Sequence, residues 1–482
     1  MKMLKLLFVF VFSLTMIRAV YCEMLTLDDY LDMVVKSNSE LKSVQSNIDA
    51  VKGKLPEVEK VYWYSLNAGM NYLDDYSGRP YNQQARLNKV TNFNYDISLE
   101  KQFITGTQVS LGLNGISGKH NYASPDPNKN INNYNLSDIA PFVELQQSLW
   151  KDINGGATKA SIAKARANAK SALYKLEYKK QNILFNTKVA YWNLSYSRTV
   201  IDFRKLSLDR TTKILDWNQK RYNMDLAEKS DLLQSQAAVK LRELSLKLAY
   251  EEENKLNRVF NQFLNVNDEK VRHEVEEFKN KENNFKDNKT LNRKGIRADV
   301  LAALEDVQSA LYDQMFSKKS LGADLVLSGK YALNGVEPSF DDAVKHITNT
   351  DKPSYSVGLK YIVPLNFKLR KTINKGYESA KISAQKYAEH AAIGENNDWL
   401  ELVDNWNNAK IRLELAVEIE KIQQQRHQED QNLLSKGRST TYQVLQGEQD
   451  LDDAALSVLQ TILELIKIYE QAEALYGMNV EV

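Results

Sequence analysis

Residues 157–222 read ATKASIAKARANAKSALYKLEYKKQNILFNTKVAYWNLSYSRTVIDFRKLSLDRTTKILDWNQKRY and contain neither glycine nor proline. A second run, residues 369–436, has no proline and two glycines, Gly376 and Gly394. At about 1.5 Å of rise per residue, a helix of either length is a rod of roughly 100 Å. Helices of globular proteins are usually far shorter. The sequence therefore predicts two very long helices.

The surroundings of these two helices occur twice along the chain. Alternating, strand-like segments precede each long helix, and a polar turn and a return helix follow it. The turns correspond at an offset of 212 residues, which matches Asp225 with Gly437 and Leu233 with Leu445. A duplicated unit of this size indicates a conduit or a spacer rather than an enzyme with a pocket. The further helices are predicted at residues 25–60, 231–263, 297–320 and 441–476.

The expected organisation has four parts. Residues 1–22 are a signal peptide, and residues 23–265 form a first structural repeat of a helix, strands and a long helical hairpin. Residues 266–296 are a polar linker or equatorial element, and residues 297–482 form the second repeat.

The first 22 residues have the composition of a secretory signal. Lys2 and Lys5 precede an apolar core that is too short to span a bilayer as a helix. Cleavage after Cys22 is one interpretation. Lipidation of Cys22 is the other, although Tyr21 stands where such a site prefers a small residue. The signal contains three of the 64 Lys and Arg residues and no acid, so the rest of the chain has 61 basic and 62 acidic residues. This balance gives no reason to expect a nucleic acid partner.

Several segments of about ten residues alternate between apolar and polar positions, as strands of a membrane barrel do. They are residues 62–76, 93–103, 107–117, a weaker 141–150, 323–333 and 355–365. No segment after the signal has 18 consecutive apolar residues, so any membrane-spanning part is expected to be a β-barrel. A half-buried sheet on a soluble core gives the same alternation. Aromatic residues near the segment ends favour the membrane interpretation; they are Tyr62, Tyr72, Tyr76, Phe93 and Tyr95.

Short motifs follow the same duplicated order. LTLDDYL at residues 25–31 with SNSEL at 37–41 opens the first half, and RADV at 297–300 opens the second. QSLWKDINGG at 147–156 and VPLNF at 363–367 join strands to long helices. YNMDLAEKSDLL at 222–233 and LSKGRSTTYQVL at 434–445 form the turns. Together these motifs resemble the TolC-like outer-membrane efflux proteins, the outer membrane factors of tripartite efflux or type I secretion systems, over nearly the whole chain after the signal.

The resemblance implies a fold class that is mostly α with a membrane β-barrel portion. Long antiparallel coiled-coil helices would form an α-barrel tube, with four to six strands per chain. It implies a homotrimeric conduit in the outer membrane that extends into the periplasm. Its partners would be a periplasmic adaptor, or membrane fusion protein, an inner-membrane pump and outer-membrane lipid. The alternative is a structural periplasmic coiled-coil spacer without a channel. Because no HExxH, Walker A, GxSxG or paired-cysteine motif is present, no enzyme activity, metal or cofactor is expected.

The turns are the predicted docking site for the adaptor. A helix that reverses needs a residue that tolerates positive φ, which Gly437 provides and Asp225 can adopt. Ser230, and Thr440 or Thr441, can cap the next helix. The predicted docking residues are Arg221, Tyr222, Asp225, Ser230, Lys436, Gly437, Arg438, Ser439, Thr440 and Thr441.

The resemblance also implies acidic residues at a pore mouth just after the second turn. Gln443 and Gln446 stand at those positions, which departs from the family pattern. Asp450 lies one turn further along the same helix face and is a candidate substitute. Asp231 is the acidic candidate in the first copy. Solvated residues on a helix face are an equally good interpretation of all four.

The number of strands per chain has two possible outcomes. The family pattern implies two strands per half, but the first half contains four alternating segments. Thr105 and Gly106 make a short link, so residues 93–116 are expected to form a hairpin. This hairpin is expected to enter the sheet, and the alternative is an elaborated loop outside it.

Overall fold

The computed structural model describes residues 24–78, 80–82, 85–123, 133–271, 273–278, 290–347 and 353–476. The predicted signal peptide lies outside the described residues. The chain divides into two units. Unit 1 comprises Met1–Asp49, Leu173–Leu301 and Ala391–Val482, and unit 2 comprises Ala50–Ala172 and Ala302–His390. Each unit takes segments from both halves of the chain.

Both very long helices are confirmed. The first is Gly156–Asn223, with 68 residues, and the second is Phe367–Ser435, with 69. The helices, in chain order, are α1 Leu27–Ser37, α2 Ser39–Lys54, α3 Gly156–Asn223, α4 Lys229–Phe263, α5 Ala298–Ser320, α6 Phe340–Ile347, α7 Phe367–Ser435 and α8 Thr441–Tyr476. Among the described residues, no helix is both long enough and apolar enough to cross a membrane.

The first predicted helix is interrupted. Thr26 caps α1 in a capping box with Asp29. The chain leaves the helical conformation at Asn38, whose side chain accepts a hydrogen bond from the Leu41 amide (2.8 Å) and donates one to the Phe263 carbonyl (2.8 Å). After α2, Leu55–Tyr62 is a 3₁₀ helix that begins at a proline-containing turn. One continuous helix from residue 25 to 60 was therefore wrong, because Asn side chains compete for backbone groups.

The strands of unit 2 form one antiparallel sheet. They are β1 Tyr64–Asp75, β2 Pro80–Asn82, β3 Ala85–Gln102, β4 Thr107–Tyr122, β5 Tyr134–Ser148, β6 Asp324–Leu333, β7 Gly335–Glu337 and β8 Pro353–Ile362. The main path is β1-β3-β4-β5-β6-β8, while β2 pairs with β3 and β7 pairs with β5. The segment expected at residues 141–150 begins earlier, at Tyr134, and Tyr62 belongs to the 3₁₀ helix rather than to β1.

The predicted hairpin forms and lies inside the sheet. Its turn is closed by a hydrogen bond from the Phe103 amide to the Thr107 carbonyl (2.8 Å), and Gly106 has a φ of 78°. Strand β3 also pairs with β1, and β4 also pairs with β5. The main path therefore has six strands, four from the first half and two from the second, rather than the four that the family pattern implies.

The register gives the sheet one apolar face and one polar face. Cross-strand partners share a face, and the pairs Met70–Tyr95, Leu99–Leu111 and Leu111–Val143 lie on the apolar one. The same face continues into β6 and β8 through the pairs Val143–Tyr331 and Tyr331–Tyr355. The polar face carries Ile116 and Phe142 as apolar exceptions among Asn94, Asp96, Ser98, Glu100, Gln108, Ser110, Asn114, Glu144 and Lys330. The predicted alternation is confirmed.

Aromatic side chains form the core of unit 1 around α1. Tyr30 is fully buried, stacks on Phe260 (4.0 Å between ring centroids) and donates a hydrogen bond to the Phe260 carbonyl (3.0 Å). Burial raises the pKa of the Tyr30 hydroxyl well above its usual value. The polar segment after α4 also contributes, because Val275 bridges to Leu25 and Phe278 is fully buried. The sequence pattern did not predict these buried positions.

Candidate functional site

Each long helix ends in the same hydrogen-bonded turn, in unit 1. In the first turn, the Asp225 amide donates to the Tyr222 carbonyl (3.0 Å) and the Leu226 amide donates to the Arg221 carbonyl (2.8 Å). In the second turn, the Gly437 amide donates to the Leu434 carbonyl (3.0 Å) and the Arg438 amide donates to the Leu433 carbonyl (2.8 Å). This is the Schellman pattern of helix ends, which needs one residue with positive φ. Asp225 has a φ of 56° and Gly437 a φ of 71°, as the sequence predicted for both.

Most predicted docking residues are accessible at these turns. Tyr222, Asp225, Ser230, Lys436, Gly437, Arg438 and Thr440 are exposed, whereas Arg221 and Ser439 are partly exposed and Thr441 is buried. Arg221 supports its own turn, because its guanidinium lies over the Trp217 ring (4.5 Å) and donates to the Leu226 carbonyl (2.9 Å). Two apolar side chains that were not predicted, Met224 and Leu226, are 67% and 62% exposed at the first turn.

The predicted caps are right in one copy and wrong in the other. Thr440 caps α8, since its hydroxyl accepts from the Gln443 amide (3.2 Å) and Gln443 accepts from the Thr440 amide (3.1 Å). Ser230 caps nothing, because α4 already begins at Lys229 and its N-cap is Glu228, which makes no side-chain cap. Thr441 instead donates to the buried amide oxygen of Asn218 (3.1 Å).

The pore-mouth candidates do not share one environment. Gln443 is used in the Thr440 capping box, and Gln446 donates to Asp450 (2.8 Å). Asp450 also accepts from Arg426 (2.8 Å), so this carboxylate is paired between α7 and α8. Asp231 is partly exposed in the first turn of α4. The structure thus brings Gln446 and Asp450 together, and it leaves Asp231 on a separate helix.

A buried charge cluster, which was not predicted, lies between the four helices behind the turns. It consists of Arg210 on α3, Arg242 on α4, His427 on α7, and Glu448 and Asp452 on α8. Both acidic side chains are fully buried. The Asp452 carboxylate lies 3.0 Å from Arg210 and 3.2 Å from Arg242. The Glu448 carboxylate lies 2.7 Å from Arg210 and 2.9 Å from His427.

Burial raises the pKa of the Asp452 carboxyl, and the negative charge of Glu448 acts in the same direction. The hydrogen bond from Ser207 and the guanidinium groups of Arg242 and Arg210 oppose that shift. Such clusters are weak evidence of added stability, because desolvation offsets the attraction, but a missing partner is strongly destabilising. The cluster therefore links α3, α4, α7 and α8, and loss of one partner should destabilise their packing.

The sequence does contain a signal for the cluster. Positions 444, 448, 452, 455 and 459 form one stripe of α8 at helical spacing, and all five are buried. Glu448 and Asp452 interrupt this otherwise apolar stripe. A charged residue at a core-facing position predicts a buried partner.

Comparison of the sequence with protein-family models and with curated proteins found no match. The fold is similar to that of solved outer-membrane proteins. VceC of Vibrio cholerae gives a TM-score of 0.64 at 12% identity, over 94% of this chain and 97% of VceC. The CmeC outer membrane channel of Campylobacter jejuni gives a TM-score of 0.62 at 12% identity, over 94% of this chain and 85% of CmeC. The open MtrE outer membrane channel of Neisseria gonorrhoeae gives a TM-score of 0.61 at 10% identity, over 93% of this chain and 88% of MtrE. The fold expected from the resemblance is thereby confirmed.

Proposed function

We propose, from the fold that this chain shares with the outer-membrane proteins VceC, CmeC and MtrE, that it is one subunit of an outer-membrane channel. The channel is a passive conduit for efflux or secretion. Substrates enter it from the periplasm or from an inner-membrane pump.

The two-faced sheet is the observation that carries the proposal. On the apolar face of β3, Thr91 and Lys101 bracket a run of Phe93, Tyr95, Ile97 and Leu99. From Phe93 to Leu99 the run spans six residue steps, about 20 Å of strand and about 15 Å in height at a tilt of about 40°. The polar brackets, ten residue steps apart, are separated by about 25 Å in height. The spacing of the brackets equals the height of the apolar band of outer-membrane barrels, and the apolar run lies inside it. The opposite face is predominantly polar, as the lining of an aqueous channel requires.

The two edges of the sheet support assembly from several copies. Strands β1 and β8 end the main path, and their apolar side chains are open: Met70 and Val357 are each 80% exposed. An unpaired edge invites further strand pairing. Closure of three copies into one barrel would satisfy both edges of every copy, since rotational symmetry repeats the same β1-to-β8 contact.

The helix reversals are the proposed docking rim for a periplasmic adaptor. The observation behind this proposal is the exposed turn surface, with Tyr222, Met224 and Leu226 in the first copy and Lys436 and Arg438 in the second. Asp231, Gln443, Gln446 and Asp450 are proposed to face the pore mouth. The alternative, a periplasmic spacer without a channel, is not favoured, because a spacer needs no two-faced sheet.

Cell fractionation and native mass measurement test the proposal together. The expected result is recovery in the outer membrane, in detergent-extracted particles with the mass of three chains. A soluble periplasmic monomer would contradict it.

A further inference from the structure

The short strand β7 and the helix α6 form an excursion between β6 and β8. Strand β7 pairs with β5, where Gly335 lies opposite Ile139. Ile139 belongs to the apolar face, because it pairs through Gly115 with Tyr95. A Cβ atom built on Gly335 would lie 2.1 Å from the Ala343 carbonyl oxygen. Helix α6 therefore lies on the apolar face of the sheet, where Ile139 is only 2% exposed.

Helix α6 has two different sides. Phe340, Ala343, Val344 and Ile347 share one side at helical spacing, whereas Asp341, Asp342, Lys345 and His346 lie on the other. Ala343 is fully buried against the strand. Phe340, which lies 6.5 Å from the Tyr95 ring, remains 51% exposed, and Val344 remains 41% exposed. Two open apolar side chains thus continue the apolar surface of the sheet outward.

The position of α6 coincides with the end of the apolar band. On β5, Pro141, Val143 and Leu145 lie to one side of Ile139 on the same face, and Ser137 lies to the other. On β4, Ser117 pairs with Ser137, and the position after Ser117 on the same face is Lys119, which pairs with Asn135. On β5 and β4 the apolar positions therefore end at the level of Ile139, one position on this face before Phe93, which ends the apolar run on β3.

We propose that α6 is an interfacial membrane helix, whose Phe340 and Val344 enter the hydrocarbon edge while its charged side meets the headgroups. The inference rests on the proposed channel function, because it takes the apolar face as the lipid-facing one. The occupant is lipid rather than another copy of the chain, because α6 packs over β5 in the middle of the sheet and not at the β1 or β8 edge. Helices of this kind lie about 5–10 Å deep at the boundary between headgroups and acyl chains.

The helix is also specified locally. The Ser339 hydroxyl accepts from the Asp342 amide (3.2 Å) and donates to the Asp342 carboxylate (2.7 Å), which is a cap at the start of α6. On the charged side, His346 contacts Glu337 of β7. These contacts fix the orientation of α6, in which Ala343 lies against the sheet while Phe340 and Val344 stay accessible to lipid.

Site-directed spin labelling tests the proposal in the full-length protein. Single cysteines replace Val344 or Phe340 on the apolar side and Lys345 on the charged side. Val357→Cys and Ser356→Cys report the apolar and polar faces of β8. Each variant is reconstituted in phosphatidylcholine–phosphatidylglycerol vesicles, and collision rates with oxygen and with a water-soluble nickel chelate are compared. The unsubstituted protein is labelled in parallel, because Cys22 is the one native cysteine.

Labels at 344, 340 and 357 should collide severalfold more with oxygen, relative to nickel, than labels at 345 and 356. One outcome is that the label at 357 collides mainly with oxygen while the labels at both 344 and 340 collide mainly with the nickel chelate. That outcome would overturn the membrane role of α6 and leave the channel proposal intact. Nickel-dominated collisions at 357 would overturn the lipid-facing assignment of the sheet, and the inference with it.

Discussion

A single backbone angle distinguishes the two helix reversals from ordinary helix. Asp225 and Gly437 adopt positive φ at matching positions of the two copies, with φ values of 56° and 71°. A left-handed conformation costs a residue with a side chain roughly 1–2 kcal/mol relative to glycine. Asp and Asn bear this cost better than branched residues, because a short polar side chain can form local hydrogen bonds. The duplicated turn has therefore kept its geometry with two different residues.

Replacing Gly437 by valine should disturb the second turn. A Cβ at this position meets nothing within 4 Å, so backbone strain alone should destabilise the reversal, by about 1–2 kcal/mol. If the turn docks the adaptor, Gly437→Val should weaken adaptor capture and export while the barrel still assembles. Gly437→Asn is the matched control, because asparagine tolerates the left-handed region. Normal adaptor capture and export by the valine variant would remove this turn from the docking site.

At the scale of the elements, the buried charge cluster sets the relation between four helices. Arg210, Arg242 and His427 reach the two carboxylates of α8 from α3, α4 and α7. The Arg204 guanidinium lies 3.9 Å from Asp452 as a further basic neighbour. Because Arg210 of α3 and Arg242 of α4 pair with the buried carboxylates of α8, sliding α8 along either helix would leave a buried carboxylate without its partner.

The stability contribution of Asp452 should fall as the pH rises. Burial raises the pKa of this carboxyl above its ordinary value of 3.8, so the folded protein binds a proton more readily than the unfolded chain. Between pH 3.8 and the raised pKa of the folded state, the folded protein holds more protons, so the free energy of unfolding declines with pH until that pKa is passed. Asp452→Asn removes the titration. The unfolding free energy of the wild type minus that of the variant should therefore decrease with rising pH, by at most about 1.4 kcal/mol per pH unit.

Denaturant unfolding, followed by the helical circular dichroism signal in detergent, measures this difference. Asp453→Asn is the control, because it removes a neighbouring exposed carboxylate outside the cluster. A wild-type advantage over Asp452→Asn that grows with pH would show that ion pairing outweighs burial at this site.

At the scale of the whole molecule, the strand count determines the size of the proposed channel. Three copies of the six-strand path give eighteen strands around one barrel. The diameter of a barrel grows with its number of strands, so this pore should be wider than one built from four strands per copy.

Electron cryomicroscopy of the detergent-extracted oligomer checks this count directly. Projections along the barrel axis should resolve eighteen strands, with β3 and β4 among them. Twelve strands, with residues 93–116 outside the barrel, would contradict the prediction. The measurement is independent of the adaptor and of the transported substrate.

Local features of this protein were determined by the sequence alone. Freedom from proline, with no glycine in the first run and two in the second, predicted α3 and α7, and alternation predicted the two faces of the sheet. The short link at Gly106 predicted the hairpin, and the matched turns predicted positive φ at Asp225 and Gly437. Each of these depends on residues that are close together in the chain, so the physical cause lies within the pattern itself.

The tertiary structure decided what depends on distant partners. The order of the six strands, the burial of Val275 and Phe278, and the meeting of Arg210 and Arg242 with Asp452 join residues far apart in the chain. The break at Asn38 belongs to the same class, because its amide donates to Phe263, which lies 225 residues later. Helical spacing marks a residue as core-facing but does not identify its neighbour. Only packing brings the two partners within hydrogen-bonding distance.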